Sequence, residues 1–266
     1  MTSPVMPPEE ILRSLTRRCF YDGPVPEDAI EEACRRQDEM FPLFLVEIEK
    51  FLSASPRERI RKHTPVHFIF FILGEWGDQR AYRPIARLIR CPQFTEHVGF
   101  GPVFDDVGHR VIAAVYDGDP EPLFEAARDP KADRLARHYI LCNALAMLVH
   151  HEMIDREVVA NFVIDLYEEL GDYPFVWYGW ARLAARLGLS ALRPLVLQAI
   201  AEERFDDYAI QEFDDELKLA VARPGAEDVD EEFLPFEGAY DEIISYFPAE
   251  NAFAPPVTRT PGDPSQ

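Results

Sequence analysis

Residues Val66–Arg90 read VHFIFFILGEWGDQRAYRPIARLIR, and this stretch decides the fold. From Val66 to Leu73 every residue but His67 is apolar or aromatic, which suits a buried helix. Gly74 is placed to stop that helix, because glycine takes the left-handed conformation without steric cost. After Trp76-Gly77, Asp78 can cap the next helix by accepting a backbone N–H. Tyr82, Ile85, Leu88 and Ile89 then recur at three and four residues, the buried stripe of an amphipathic helix ending near Arg90. Pro84 falls early in it, where it either sits in the first turn or bends the second. The stretch is a helical hairpin.

Working downstream, the pattern returns in weaker form. Val111–Ala127 carries an apolar helix end, an Asp-Gly turn, and Asp119-Pro120 as cap and first residue. Leu141–Tyr167 repeats it with Asp155 as the cap, and Leu183–Ile200 with Gly188 as the stop and Ser190 as the cap. Leu73, Val115, Val149 and Leu187 then follow at intervals of roughly 34 to 42 residues, a spacing that suits two-helix repeats. Leu135, Tyr139, Cys142, Ala146 and Val149 step by three and four, as do Val159, Phe162, Val163, Leu166 and Leu170. Cys91–Phe104, with Pro92, Gly99, Gly101 and Pro102, reads as an irregular connection. The predicted fold is all-α, an α-α superhelix or HEAT-like solenoid of antiparallel helix pairs.

Upstream, residues 1–8 are Pro-rich and read as a flexible N-terminus. The repeat domain is expected over 9–222. It starts with a short helix, a Tyr21-Asp22-Gly23-Pro24 break, and a helix with Pro26 at its first position. A further helix is expected over Met40–Ala54, followed by a basic cluster of Arg57, Arg59, Arg61 and Lys62 that reads as a solvated face. Residues 223–266 are acidic and then Pro-rich, a loosely packed tail. Within it, Tyr240–Phe247 can form a short helix over 240–247 that docks on the final repeat as a cap, since the last core face of a repeat array is otherwise exposed.

Composition narrows the function. The chain has 266 residues, 47% of them hydrophobic, and a formal charge of -21. It can bury a sizeable core, and its charge repels phosphate backbones and anionic membranes. Neither nucleic acid nor membrane is expected as a partner. Cys19, Cys34, Cys91 and Cys142 are scattered, with no CxxC pair, which points to reduced thiols and a cytoplasmic protein. No signal peptide is visible in MTSPVMPPEE.

Three stretches together carry a family resemblance: YDGPVPEDAIEEACRR (Tyr21–Arg36), ILGEWGDQRAYRPIARLIR (Ile72–Arg90) and VYDGD (Val115–Asp119). On these, over roughly residues 5–220, the chain resembles the bacterial domain-of-unknown-function family 1186. The resemblance implies an all-helical repeat fold and transfers no catalytic residues. Some proteins resembling this family carry a Cys-rich zinc-binding tail. Here no cysteine follows Cys142, which puts that function in doubt for this chain.

No GxxxxGK[ST], GxGxxG or GxSxG motif occurs, which argues against nucleotide, dinucleotide and esterase chemistry. His63 and His67 have i,i+4 spacing, but Thr64-Pro65 between them reads as a helix start, and no HExxH glutamate is present. His150-His151 point about 100° apart on a helix and cannot easily chelate one ion. The thiols offer no Cys–His arrangement that spacing alone would support, and no cofactor is expected. Two features remain as candidate binding residues. The row Arg80, Arg83, Arg87 and Arg90 could grip a partner's carboxylates bidentately, or could balance local acids on a solvated face. In the aromatic run Tyr173–Trp180, Trp177 and Trp180 fall near each other and either fill the core or form a binding surface. The preferred expectation is a non-enzymatic scaffold for a protein or peptide partner. A metal-dependent site assembled across helices and a small-molecule sensor are the alternatives, and the oligomeric state is open.

Overall fold

The computed structural model describes residues 6–18, 20–61, 63–95, 100–222 and 233–247. The regular elements among them are helical. Four helices precede the hairpin: α1 (Pro8–Leu15), α2 (Glu27–Arg35), α3 (Gln37–Ser53) and α4 (Pro56–Arg61). The hairpin is α5 (Val66–Trp76), a 3₁₀ turn at Gln79–Ala81, and α6 (Tyr82–Arg90). Next come α7 (Phe100–Val115) and α8 (Glu121–Arg128). The third pair has an interrupted first helix: α9 (Arg134–Tyr139), a π-helical turn at Ile140–Ala144, and α10 (Leu145–His150), followed by α11 (Arg156–Leu166). α12 (Pro174–Arg186) pairs with α13 (Arg193–Ala201), and α14 (Tyr208–Ala222) and α15 (Ala239–Ile244) complete the order.

The first helices of successive pairs lie side by side. α5 packs on α7, α7 on α9 and the π-helical turn, these on α12, and α12 on α14. A second layer runs behind, with α3 on α6 and α6 on α8. It continues where Phe124 of α8 stacks on Phe162 of α11 at 3.9 Å. The sequence explains the division. α5 is apolar on all sides and is buried continuously from Val66 to Gly74, whereas α6 buries only Tyr82, Ile85, Ala86, Leu88 and Ile89 and turns its arginines outward. Phe70, Phe94, Phe100 and Phe104 pack ring against ring between the layers. Burial of each such side chain is worth about 1.5–3 kcal/mol.

Local signals mostly behave as expected. Asp78 accepts the Arg80 N–H at 2.9 Å, Asp119 that of Glu121 at 3.0 Å, and Asp155 that of Glu157 at 2.8 Å. Three signals do not. Gly74 lies inside α5, and the helix instead ends at Gly77, which takes the left-handed conformation with φ 56°. Ser190 opens a 3₁₀ turn and caps nothing. Within the stretch read as irregular, α7 already starts at Phe100. Gly101 and Pro102 fall in its first turn, where proline lacks no needed N–H.

The short helix expected at 240–247 is α15, but it docks far from the final pair. It packs on α5 and α2, and the reason is a set of receptors built into α5 and α7. A Cβ on Gly74 would lie 3.3 Å from the Phe236 ring, so the missing side chain is a notch for that ring. Glu75 accepts the Ala239 N–H at 2.7 Å, and Arg110 meets Glu242 at 2.6 Å. Phe247 rests 5.4 Å from Phe20. At the other end the Phe233 carbonyl accepts from His151 Nε2 at 2.8 Å, and its ring faces the Arg186 guanidinium at 5.1 Å. Residues 233–247 thus form a strap across the first-helix layer. Of the N-terminal segment read as flexible over 1–8, Pro8 instead starts α1, and residues 1–5, like the tail readings over 223–232 and 248–266, lie outside the described residues. No helix among the described residues is long and apolar enough to cross a membrane.

Candidate partner-binding groove

Among the described residues, the first-helix layer is open where the strap ends. A groove of about 790 Å³ runs between α12 and α14. Its floor is apolar, from Phe175, Tyr178 and Ala181 of α12 and Phe213 and Leu219 of α14. Pro174 starts α12, and from that start helical spacing sends Phe175, Tyr178 and Arg182 toward the groove while Val176, Trp177 and Trp180 turn into the core. Phe175 is 50% exposed and Leu219 58%, so apolar surface here faces solvent. Asp206, Glu212, Asp215 and Glu216 line the groove against one guanidinium, Arg182. That guanidinium is held by Glu216 at 3.1 Å. Burial raises the Glu212 carboxyl above its ordinary value, an effect that Arg182 opposes. Burial and the adjacent Asp206 likewise push the Tyr178 phenol upward. The groove therefore presents apolar rings beneath an excess of negative charge.

The sequence-predicted residues lie elsewhere. Trp177 and Trp180 are 4% and 0% exposed. Their indole N–H groups donate to the Gly171 and Val163 carbonyls, each at 2.8 Å. They fill the core, and the rings that this aromatic run turns toward the groove are Phe175 and Tyr178. The arginine row is engaged within the chain. Arg80 binds Asp78 and lies over the Phe41 ring. Arg83 bridges to Asp117 and Asp119, Arg87 to Glu49 of α3, and Arg90 to Glu125 and Asp129 beside α8. Arg80 is held within its own turn, whereas Arg83, Arg87 and Arg90 tie α6 to flanking elements, because acids there stand opposite these three guanidiniums.

His67 is buried against Phe100 with ring centroids 4.7 Å apart, whereas His63 precedes α5 and is exposed. Among the described residues no group of three or more His, Cys, Asp or Glu side chains is placed to hold a metal ion. One expectation about the thiols is overturned. Cys142 Sγ lies 3.6 Å from His138 Nε2, and the i,i+4 spacing of the two was a signal that the sequence did contain.

The described residues form a layered array of helix pairs with a groove between α12 and α14. The chain belongs to the family described as protein of unknown function (DUF1186), which matches residues 6–227. The match takes in the helix pairs and α14 and stops before the strap. No curated protein and no solved structure matches the chain.

Proposed function

We propose that this protein is a HEAT-like solenoid, an α-α superhelix of antiparallel pairs, and serves as a non-enzymatic scaffold. Its partner is a protein or peptide whose basic amphipathic segment seats in the groove between α12 and α14. The observation that carries this reading is the groove itself: exposed Phe175 and Leu219 beside Asp206, Glu212, Asp215 and Glu216, of which Glu216 meets Arg182 and Arg186 and Asp215 meets Lys218. Apolar rings supply contact area, and the carboxylates select the sign of the partner and speed its approach. Cys34, Cys91 and Cys142 take part in no disulfide among the described residues, which supports a reducing, cytoplasmic setting.

Fluorescence anisotropy with two labelled helical peptides tests the reading. The peptides share their apolar face and differ in carrying lysine and arginine or glutamate on the polar face. The basic peptide binds, and its affinity falls with added salt. Phe175→Ala weakens it about tenfold or more, and that variant folds normally because the ring is half exposed. Equal binding of the acidic peptide, or an affinity indifferent to Phe175, overturns the proposal.

A further inference from the structure

Beside the groove lies a second cavity of about 410 Å³. His138 and Arg182 form the wall that the two share. We propose that Cys142 is a nucleophilic thiol with His138 as its base, and that it captures a small uncharged electrophile admitted to this cavity.

The geometry sets the roles. His138 Nδ1 lies 2.6 Å from the Phe175 carbonyl oxygen. A carbonyl only accepts, so Nδ1 carries the proton, and the lone pair of the neutral ring sits on Nε2, facing Cys142 Sγ at 3.6 Å. Thiol, base and a third group that orients the base are the arrangement that activates a nucleophile. Burial holds the imidazole below its ordinary value of 6.5, an effect that the Phe175 carbonyl partly opposes and Arg182 reinforces, so the resting ring is neutral and its Nε2 lone pair is not occupied by a proton. Among the described residues the other two thiols, Cys34 and Cys91, are set differently. Burial together with Glu75 and Glu31 pushes Cys34 up to about 12, and burial raises Cys91.

The backbone adds an independent sign. Cys142 sits in the π-helical turn Ile140–Ala144, a rare geometry that occurs mostly as single turns within α-helices and is frequent at functional sites. Arg186 reaches in to donate to the Cys142 carbonyl at 2.8 Å. The cavity wall also defines the ligand. Asp105 and Asp106 share the wall with Arg110 and Arg182, and these guanidiniums are engaged by Glu242 and Glu216, so the wall offers an anionic ligand no spare cation. His109, Cys142 and Asn143 are 4%, 1% and 4% exposed, so the approach is narrow and polar. In the step itself, Sγ forms a bond to the electrophilic carbon as its proton passes to His138 Nε2. The leaving group departs with its bonding pair. No turnover is required, so a stoichiometric capture of this kind stands beside a binding function.

Iodoacetamide is the probe: the S–C bond forms, the C–I bond breaks and iodide leaves. Labelling at neutral pH is followed by peptide mapping with mass spectrometry. Cys142 is labelled at least tenfold faster than Cys34 and Cys91, the reverse of the order that exposure alone would set, since Cys34 is the more accessible. Iodoacetamide outpaces the anion iodoacetate at Cys142 by more than it does at a free thiol. His138→Gln slows the reaction at least tenfold, and added imidazole restores part of the rate in His138→Ala, which a purely structural role for His138 would not produce. Where these variants fail to fold, the order of labelling in the unaltered protein decides. Labelling of Cys34 ahead of Cys142, or an unchanged rate in folded His138→Gln, overturns the proposal. Peptide affinity at the groove is read separately, so either reading can fail without the other.

Discussion

Two glycines show how single residues set the packing. A Cβ on Gly179 of α12 would sit 2.8 Å from the His138 backbone oxygen, whereas one on Gly74 would sit 3.0 Å from Val111 Cγ2 and 3.3 Å from the Phe236 ring. Both lie within helices, so alanine gains about 1 kcal/mol of helix propensity at either position. Side chains can rotate away from a new methyl group, but a backbone carbonyl inside a packed helix moves only if α9 and α12 separate. Gly179→Ala therefore costs more than the propensity returns, a net loss of about 2 kcal/mol. Gly74→Ala lies closer to neutral. Urea denaturation of the two variants checks the order, and equal stability would mean that α9 and α12 have room to move apart. The same scale explains the tryptophans. An aromatic run announces contact area, but only the helix start at Pro174 fixes which rings face the core. A reading that weighs residue type above phase selects the largest rings, and those are the ones a core takes first.

At the scale of elements, the α6 arginines act as cross-links. Asp119 is held below the ordinary carboxylate value first by the Glu121 backbone N–H and then by Arg83. A group depressed in the folded state stabilises above its unfolded value and loses that contribution as pH falls through its folded value. Asp119→Asn therefore melts about 2 °C below the unaltered protein at pH 6, and the gap narrows toward pH 3. A gap independent of pH would remove Asp119 from the linkage. The elements themselves were largely legible. The α5–α6 hairpin, the caps at Asp78, Asp119 and Asp155 and the stop at Gly188 all follow from local rules. The π-helical turn was not, because Leu135 to Val149 keep steps of three and four across it and one widened turn leaves that periodicity intact. Nor was the destiny of the arginines, because Glu49, Glu125 and Asp129 become their neighbours only once the layers stack. The groove was half legible: the right stretch was visible, but the face that opens to solvent depends on where α14 lies.

For the whole molecule, the strap matters most. Glu75 and Ala239 are 164 residues apart, and no local pattern pairs them, which is why a covering helix was expected on the last pair and lies across the first-helix layer instead. Its charged anchor is nearly buried: Glu242 is 7% exposed and the Arg110 side chain 18%. Burial raises the Glu242 carboxyl above its ordinary value, although Arg110 opposes the rise. Removing Arg110 leaves a buried carboxylate without its partner, whereas replacing both residues by apolar ones removes the desolvation penalty as well. Arg110→Ala is thus expected to destabilise by about 3 kcal/mol at neutral pH, and Arg110→Met with Glu242→Leu to lie close to the unaltered protein. The pH dependence separates this from a simple loss of packing. A carboxyl raised in the folded state binds its proton more readily there than in the unfolded chain, so stability is retained at low pH and lost as pH rises through the folded value. Without Arg110 that rise is larger, so the Arg110→Ala defect shrinks at pH 5 and grows toward pH 8. Thermal melts of the single and double variants across that range check it. A defect equal at both ends would show that Arg110 acts through packing and not through the charge of Glu242.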